Sequence, residues 1–586
     1  MWEHARLFLR SVSATIRSDL SEDDSLSFIL FGTALLAGFW FWYRVPNFAG
    51  PDEYSRLLQP IKTAGYVAAD PSIEALRRGL LDGRALGATF YVYALVLAPL
   101  AVLVLVSGQF SEFVSLGSVT SRWTLWHEAP VWFWTGAVLF SRLVLIVFAA
   151  GCVYLTYRLG VRLQDRRTGR YASALLMLSL GFVSKAHEAG EDLPMLFFFL
   201  LATYLAVRFI QTGDERSFLV GAAIGGLAIA FKLTAGVVVF VLAGSLVARS
   251  LKTDGAWYSG LLRPKLIAGG LALGSVAIYV GIPSILVSGP EALLTRVFHT
   301  AGQKTALSGG REAPIWYWIS KGYLEGFGLP LGLATVVAIP VSFLFLRKQS
   351  VSIHAAALLL VALVVYLMVF FQWSYLRMHH LLPTFPLMLL LLGMVLAGLN
   401  KQRPLLGHTL VAILVVTSAL YAGGGVIKYA TEPRDQATDW MESNVDQGER
   451  VVVYENSIAD VAAIHGRTVE HYPYDEENAT YSSSLVLNES AYTEWMISTP
   501  GRGPEYIQLT AADIRYLDPF SPLAEKYPRR AEYIRQLLDG DNGYRIAVEF
   551  GNRPEYRTPN AELIRTGVKP TPDPYEEYVV ILERDD

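Results

Sequence analysis

Long apolar runs separated by short polar ones fill the first three quarters of this chain. Eleven of them read as membrane helices: about Ser27 to Val45, Ala137 to Tyr157, Tyr171 to Val183, Leu193 to Ile210, Phe218 to Phe231, Leu233 to Ala248, Leu266 to Val287, Gly328 to Leu346, Ala355 to Phe371, Leu381 to Leu399 and Thr409 to Ile427. A helix needs about 20 apolar residues to cross the hydrocarbon core of a bilayer. The third and fifth runs are shorter, and Lys185 and Lys232 stand at their ends. Short helices that end in charge suit the walls of a polar cavity. After Thr431 the pattern changes: "RDQATDWMESN" has the period of a helix, and "RVVVYE", "YRIAVEF" and "YVVILE" have the composition of strands. A small α/β domain is expected there.

Charge gives the helices a direction. The loops after the second, fourth, sixth, eighth and tenth runs hold 15 basic residues, among them Arg158, Arg162, Arg166, Arg167 and Arg170, against four acids. The positive-inside rule places these loops in the cytoplasm, and an odd number of crossings then puts the C-terminal domain outside. One more apolar stretch, Phe90 to Val106, lies within the polar segment 46–131. A single crossing there would carry the arginine-rich loop outward, so it reads as a juxtamembrane or re-entrant segment, with an extra pair of crossings as the alternative. The expected organisation is a cytoplasmic segment 1–26, a transmembrane domain 27–430 with a long outer loop 46–131, and an extracytoplasmic domain 431–586.

Composition narrows the class. With 53% hydrophobic residues and a mean hydropathy of +0.35, the chain is a polytopic α-helical membrane protein rather than a soluble one. The net charge of -3 hides an asymmetry: residues 431–586 carry 30 Asp/Glu against 15 Lys/Arg, while the rest has 22 acids and 34 bases. Arginine outnumbers lysine 37 to 12, and an acidic, lysine-poor exposed domain suits a high-salt habitat. The lone cysteine, Cys152, lies in an apolar run, which excludes an intrachain disulfide and a cysteine metal site. Arg44 follows the first run where a cleavage site would need small residues, so that run reads as an anchor helix. Two sequons, at Asn478 and Asn488, are compatible with exposure to a glycosylating compartment.

In this topology the conspicuous polar residues gather on the outer side. "PDEYSR" follows the first run; "SKAHEAGEDLP" joins the third and fourth; Lys232 separates the fifth and sixth; and "RVFHTAGQKTALSGGREAPIWYW" and "WSYLRMHHLLP" precede the eighth and tenth. Acids activate a nucleophile or hold a metal, and Lys and Arg neutralise a phosphate leaving group. Trp316, Tyr317, Trp318 and Trp373 are placed to hold a lipid or stack on a sugar. Each feature also has a structural reading. The Asp-Glu pair is ordinary solvated surface, His187 and Asp192 cap a helix, Lys232 snorkels to the headgroups, and His379 and His380 are interfacial side chains.

Taken in order, a post-helix "PDEY", the H-x-x-x-x-D-x-P loop "HEAGEDLP", a Lys after "GAAIGGLAIAF" and an Arg before "LLP" in "RMHHLLP" resemble the dolichyl-phosphate-mannose mannosyltransferase type of enzyme. These enzymes make up glycosyltransferase family 39, of GT-C fold. The resemblance covers Leu26 to Ile427 and implies a function and a site. Asp52 would be the base that deprotonates the acceptor hydroxyl, with Glu53 in support. Asp192, with His187 as neighbour, would orient the acceptor or a metal. Lys232, Arg377 and His379 would contact the donor phosphate. The insert from Ser107 to Pro130 departs from compact members, which leaves the roles of His127 and Glu128 open.

The implied reaction is an inverting transfer of a sugar, mannose by analogy, from dolichyl (polyprenyl) phosphate to a glycan or glycoprotein acceptor. It takes place outside the cytoplasm, and with the halophilic composition it points to N-glycosylation of archaeal surface-layer proteins. No nucleotide or nucleic acid takes part, and a divalent cation is left open. A transporter or lipid-linked sugar flippase is the alternative, although such proteins place charges at the bilayer midplane and often show repeats. A silent receptor with an acidic outer domain is a third reading.

Overall fold

The computed structural model describes residues 13–81, 87–116, 119, 122–253, 256–291, 293–294, 313–346, 352–455, 457–472 and 488–585. Arg347, Lys348, Asn478 and all of the stretch 296–312 lie outside the described residues. Each of the eleven expected runs overlaps a helix, because leucine- and valine-rich runs with little interior charge satisfy their backbone within the helix itself. Among the described residues, eight helices are long and apolar enough to cross a membrane, or nine if the pair Ile315–Phe327 and Leu329–Leu344, bent by 117° at Gly328, is one span.

The difference from eleven has three sources. Asp24–Gly38, Arg166–Met177 and Glu215–Phe231 are helices of only 15, 12 and 17 residues. Conversely, Thr89–Val106, expected as a juxtamembrane or re-entrant segment, is a continuous 18-residue helix that meets the length and hydropathy of a span. Large apolar side chains such as Leu271, Val276, Leu333, Val337, Met368 and Leu420 are exposed along the bundle, as lipid-facing positions require.

The expected basic loops meet at one end of the bundle. Arg158 and Arg170 pair with Asp19 and Asp23 at 2.7 and 2.8 Å, and Lys401 pairs with Asp165 at 2.7 Å. Gln211 bonds the Arg162 carbonyl, Arg249 bonds the Ile210 carbonyl, and Ser352 N–H bonds the Leu163 carbonyl. Among the described residues, the loops after the second, fourth, sixth and tenth runs, and Ser352 before the ninth, therefore share one face, as their parity requires.

The C-terminal region folds as a mixed α/β unit. Its four strands, β1 (Val451–Val453), β2 (Tyr506–Thr510), β3 (Tyr544–Gly551) and β4 (Tyr578–Arg584), form a sheet in the order β1-β2-β4-β3. β1 and β2 are parallel, and β4 runs antiparallel to both β2 and β3. This unit is built into the membrane part. Phe48, Tyr54, Trp126 and Trp134 share one apolar core with Val451, Val453 and Ile581. Arg44, wholly buried, donates to the Val461 carbonyl at 2.7 Å, and Asn47 donates to the Ala463 carbonyl at 2.9 Å. The insert also docks here: Trp123 stacks on His471 at 5.4 Å, and His127 Nδ1 accepts from the Gly466 N–H at 3.0 Å.

Candidate functional site

The site starts from the turn after the first helix. Gly50 caps a 19-residue helix, Pro51–Ala69, with Pro51 at its first position, where a missing N–H costs nothing. This puts Asp52 and Glu53 in the first turn, at the positive end of the helix dipole. A Cβ at Gly50 would stand 2.8 Å from Glu188 Oε1 and would push that carboxylate aside.

The two neighbouring acids have different surroundings. The Asp52 side chain is 45% exposed and lies 3.3 Å from Arg56, one turn on. Glu53 is fully buried: Oε1 takes hydrogen bonds from Arg142 Nε at 2.8 Å and Ala189 N–H at 2.9 Å, and Oε2 takes them from Arg142 Nη2 at 2.7 Å and Ala49 N–H at 2.6 Å. Glu53 thus ties the first helix turn to the long helix Val131–Leu163 and to the 184–192 loop.

A cavity of about 370 Å³ opens beside Asp52. From the membrane part it is lined by Asp52, Arg56, Lys185, Glu188, Glu191, Asp192, Arg377 and His379, and from the C-terminal region by Glu455, Asp460, Arg515, Asp573 and Glu576. Arg56, itself 1% exposed, binds Glu191 at 2.7 Å as well as Asp52. Burial alone would lower its pKa, but the two carboxylates raise it above the usual arginine value. Lys232 holds Asp192 at 2.7 Å and lies 4.0 Å from Glu191. Lys185 is held at 2.8 Å by both Glu188 and Asp573.

Burial raises the carboxyl groups on the far wall: Glu455 to about 8, with Asp513 and Asp460 adding like charge, and Glu576 to about 7. Glu188 is raised to about 7 by burial, against the pull of Lys185. Among the described residues, no three His, Cys, Asp or Glu side chains are gathered to hold a metal ion.

The structure therefore brings Asp52, Asp192, Arg377 and His379 to one cavity, with Lys232 joined to it through Asp192. Glu53 and His187 stand behind the wall. His187 is buried with its ring nitrogens on the Phe39 and Val183 carbonyls at 2.8 and 3.2 Å, and it stacks on Tyr429 at 4.2 Å. The four aromatic residues named from the sequence do not line the cavity: Trp318 packs edge-on against Tyr375, and Trp373 against His380. The contributions of the C-terminal region were not legible. Their only local sign is the acidic, proline-flanked "PDPYEEY" just before the last strand.

Comparison with known proteins adds a family. Residues 133–268 match the model described as dolichyl-phosphate-mannose-protein mannosyltransferase. No curated protein matches the chain. Among solved structures, the chain is similar to the apo oligosaccharyltransferase of Archaeoglobus fulgidus (12% identity, 96% of this chain and 88% of that one, TM-score 0.49). It is also similar to ArnT from Cupriavidus metallidurans bound to undecaprenyl phosphate (12% identity, 84% and 94%, TM-score 0.49). A third is the arabinofuranosyltransferase AftD from Mycobacteria (12% identity, 96% and 40%, TM-score 0.44). Over residues 133–268, the stretch that holds His187, Asp192 and Lys232, the chain is similar to the dolichyl-phosphate-mannose-protein mannosyltransferase family.

Proposed function

We propose that this protein is an inverting membrane glycosyltransferase that takes a sugar from a polyprenyl phosphate. The observation that carries the reading is the contrast at the first helix turn. Asp52 offers a half-exposed carboxylate to a polar cavity at the end of the bundle remote from the basic loops, while its neighbour Glu53 is fully committed to structure. A lipid-linked donor and a water-borne acceptor have to meet at such a boundary.

In the proposed reaction Asp52 takes the proton of an acceptor hydroxyl, whose oxygen forms the new bond to the anomeric carbon. The bond from that carbon to the phosphate oxygen breaks from the opposite side, and the lipid phosphate leaves with its electron pair. Arg377 and His379, which line the same cavity, are assigned to that phosphate, and Lys232 acts through Asp192. Exposed guanidinium groups suit developing oxyanions. No step uses a metal or a nucleotide. The family resemblance favours mannose on dolichyl phosphate as donor, and a glycan of surface-layer glycoproteins as acceptor. The charge of the basic loops supports a cavity and a domain 431–586 that face away from the cytoplasm.

The test is transfer of labelled sugar from synthetic polyprenyl-phosphate mannose, glucose and arabinose donors to candidate glycans by purified protein. Transfer from one donor supports the reading and names the sugar. A folded protein that transfers from none of them contradicts it.

A further inference from the structure

The segment between the helix Pro559–Val568 and β4, residues 569–577, is a strap that lines the cavity with Asp573, Pro574 and Glu576. It is fastened to the end of the helix Pro404–Ile427, where Lys428 Nζ lies 3.5 Å from Thr571 Oγ1 and 5.2 Å from the centre of the Tyr575 ring. Thr571 in turn bonds Glu577 at 3.1 Å. Between these fastenings the strap puts one charged side chain into the membrane part. Asp573 reaches Lys185 Nζ at 2.8 Å, and its carboxylate lies 3.8 Å from His379 Nδ1.

The partners are unusual for a loop that only covers a cavity. Lys185 is 5% exposed and already has a carboxylate partner in Glu188. Asp573 adds a second carboxylate to the same ammonium group. Arg377 lines the same cavity and forms no ion pair among the described residues. One ammonium donor on the oxyanion, with an imidazole ring 3.8 Å away and a guanidinium in the same cavity, forms a cradle that a phosphate oxyanion fits as well as a carboxylate does.

We infer that Asp573 is an internal stand-in for a phosphate group: its carboxylate fills a cradle made by Lys185 and His379, and the strap has to leave Lys185 before a phosphate ligand can bind. That the phosphate is the lipid-linked one rests on the proposed function. Burial would raise the Asp573 pKa, but Lys185 and His379 hold it well below the usual carboxylate range, so mild acid does not open the latch. The ligand has to compete for the cradle.

The competition is measurable without any sugar transfer. Binding of farnesyl phosphate and of inorganic phosphate is titrated by calorimetry into the full-length protein in detergent, with Asp573→Asn, Asp573→Glu and Lys185→Gln alongside. If the strap is mostly closed, removing the internal anion raises apparent affinity by the inverse of the open fraction, here about tenfold or more for Asp573→Asn. Asp573→Glu keeps the anion and binds as the wild type does, and Lys185→Gln binds more weakly. A gain with both probes assigns the cradle to phosphate from either source; a gain with farnesyl phosphate alone assigns it to the lipid. Equal or weaker binding of both probes by a folded Asp573→Asn protein overturns the inference, because Asp573 would then be positioning Lys185 and His379. A protein that transfers sugar without this gain sinks the latch alone, and one that shows the gain without transfer sinks the enzyme reading alone.

Discussion

Replacing Glu53 with glutamine changes one oxygen to an amide nitrogen and nothing in size, yet a large effect is expected. Each carboxylate oxygen serves two donors, Arg142 Nε and Ala189 N–H on one side, Arg142 Nη2 and Ala49 N–H on the other. Whichever way the amide is turned, its NH₂ group faces two N–H donors, and two hydrogen bonds are lost. The Arg142 charge also stays buried without its counter-ion. At an effective dielectric of about 20, opposite charges about 3 Å apart attract by roughly 5 kcal/mol. Desolvation offsets part of this, and removing one partner of a buried pair typically costs about 3–5 kcal/mol. That is a large share of a usual folding stability of about 5–15 kcal/mol.

The assay is thermal unfolding of the detergent-purified protein, followed by differential scanning fluorimetry and by intrinsic tryptophan emission. Glu53→Gln is expected to unfold at a clearly lower temperature, and the double variant with Arg142→Met to recover much of the loss, because the unpaired buried charge is gone. A Glu53→Gln protein that melts like the wild type but has lost turnover would refute the reasoning and make Glu53 part of the chemistry.

Other predictions follow from the same contacts. Burial holds the His187 pKa down at about 4, against the two carbonyls that would raise it. The unfolded chain, with histidine near 6.5, then binds the proton more readily as pH falls from about 6.5 towards 4, and stability drops in that window by about 1.6 kcal/mol between pH 6.5 and 5. His187→Phe, which keeps the stack on Tyr429, should show a smaller acid loss of melting temperature than wild type, and equal losses would count against it. Asp192→Asn and Lys232→Gln, joined at 2.7 Å, should be non-additive in donor turnover, with a coupling of about 0.5–3 kcal/mol; simple additivity would break the link between them. Trp123→Ala should loosen the insert from the C-terminal region and speed its cleavage by added protease, since the ring is 5% exposed and stacked on His471.

Much of the membrane part was legible because apolar runs carry their own signal. Each of the eleven runs overlaps a helix, and the arginine-rich loops meet at one end. What hydropathy could not fix was where a run is interrupted. Ser27 to Val45 leaves the helix after Gly38, and Tyr171 to Val183 breaks near Leu178. Thr89–Val106 was apolar enough to span, and only the charge argument kept it out of the count. Within the site, Asp52, Asp192, Arg377 and His379 were found by position relative to the helices. The separate fates of Asp52 and Glu53 were not, because adjacent helical residues point about 100° apart and only the packed neighbours decide which one meets water. Arg515 comes from hundreds of residues away and carries no local motif, Asp573 has only the acidic "PDPYEEY" around it, and the place of both in the cavity depends on how the sheet docks.

The central claim is that Asp52 is the base of a lipid-dependent sugar transfer. It is tested most directly by comparing wild type with Asp52→Asn in single-turnover transfer from synthetic polyprenyl-phosphate mannose, with farnesyl phosphate binding measured on the same samples. Transfer by wild type, a loss of about 10²-fold or more in the variant, as for a positioned general base, and undiminished lipid binding are the predicted result. Equal transfer by both proteins, or none by a folded wild type with any lipid-linked sugar, would contradict the account.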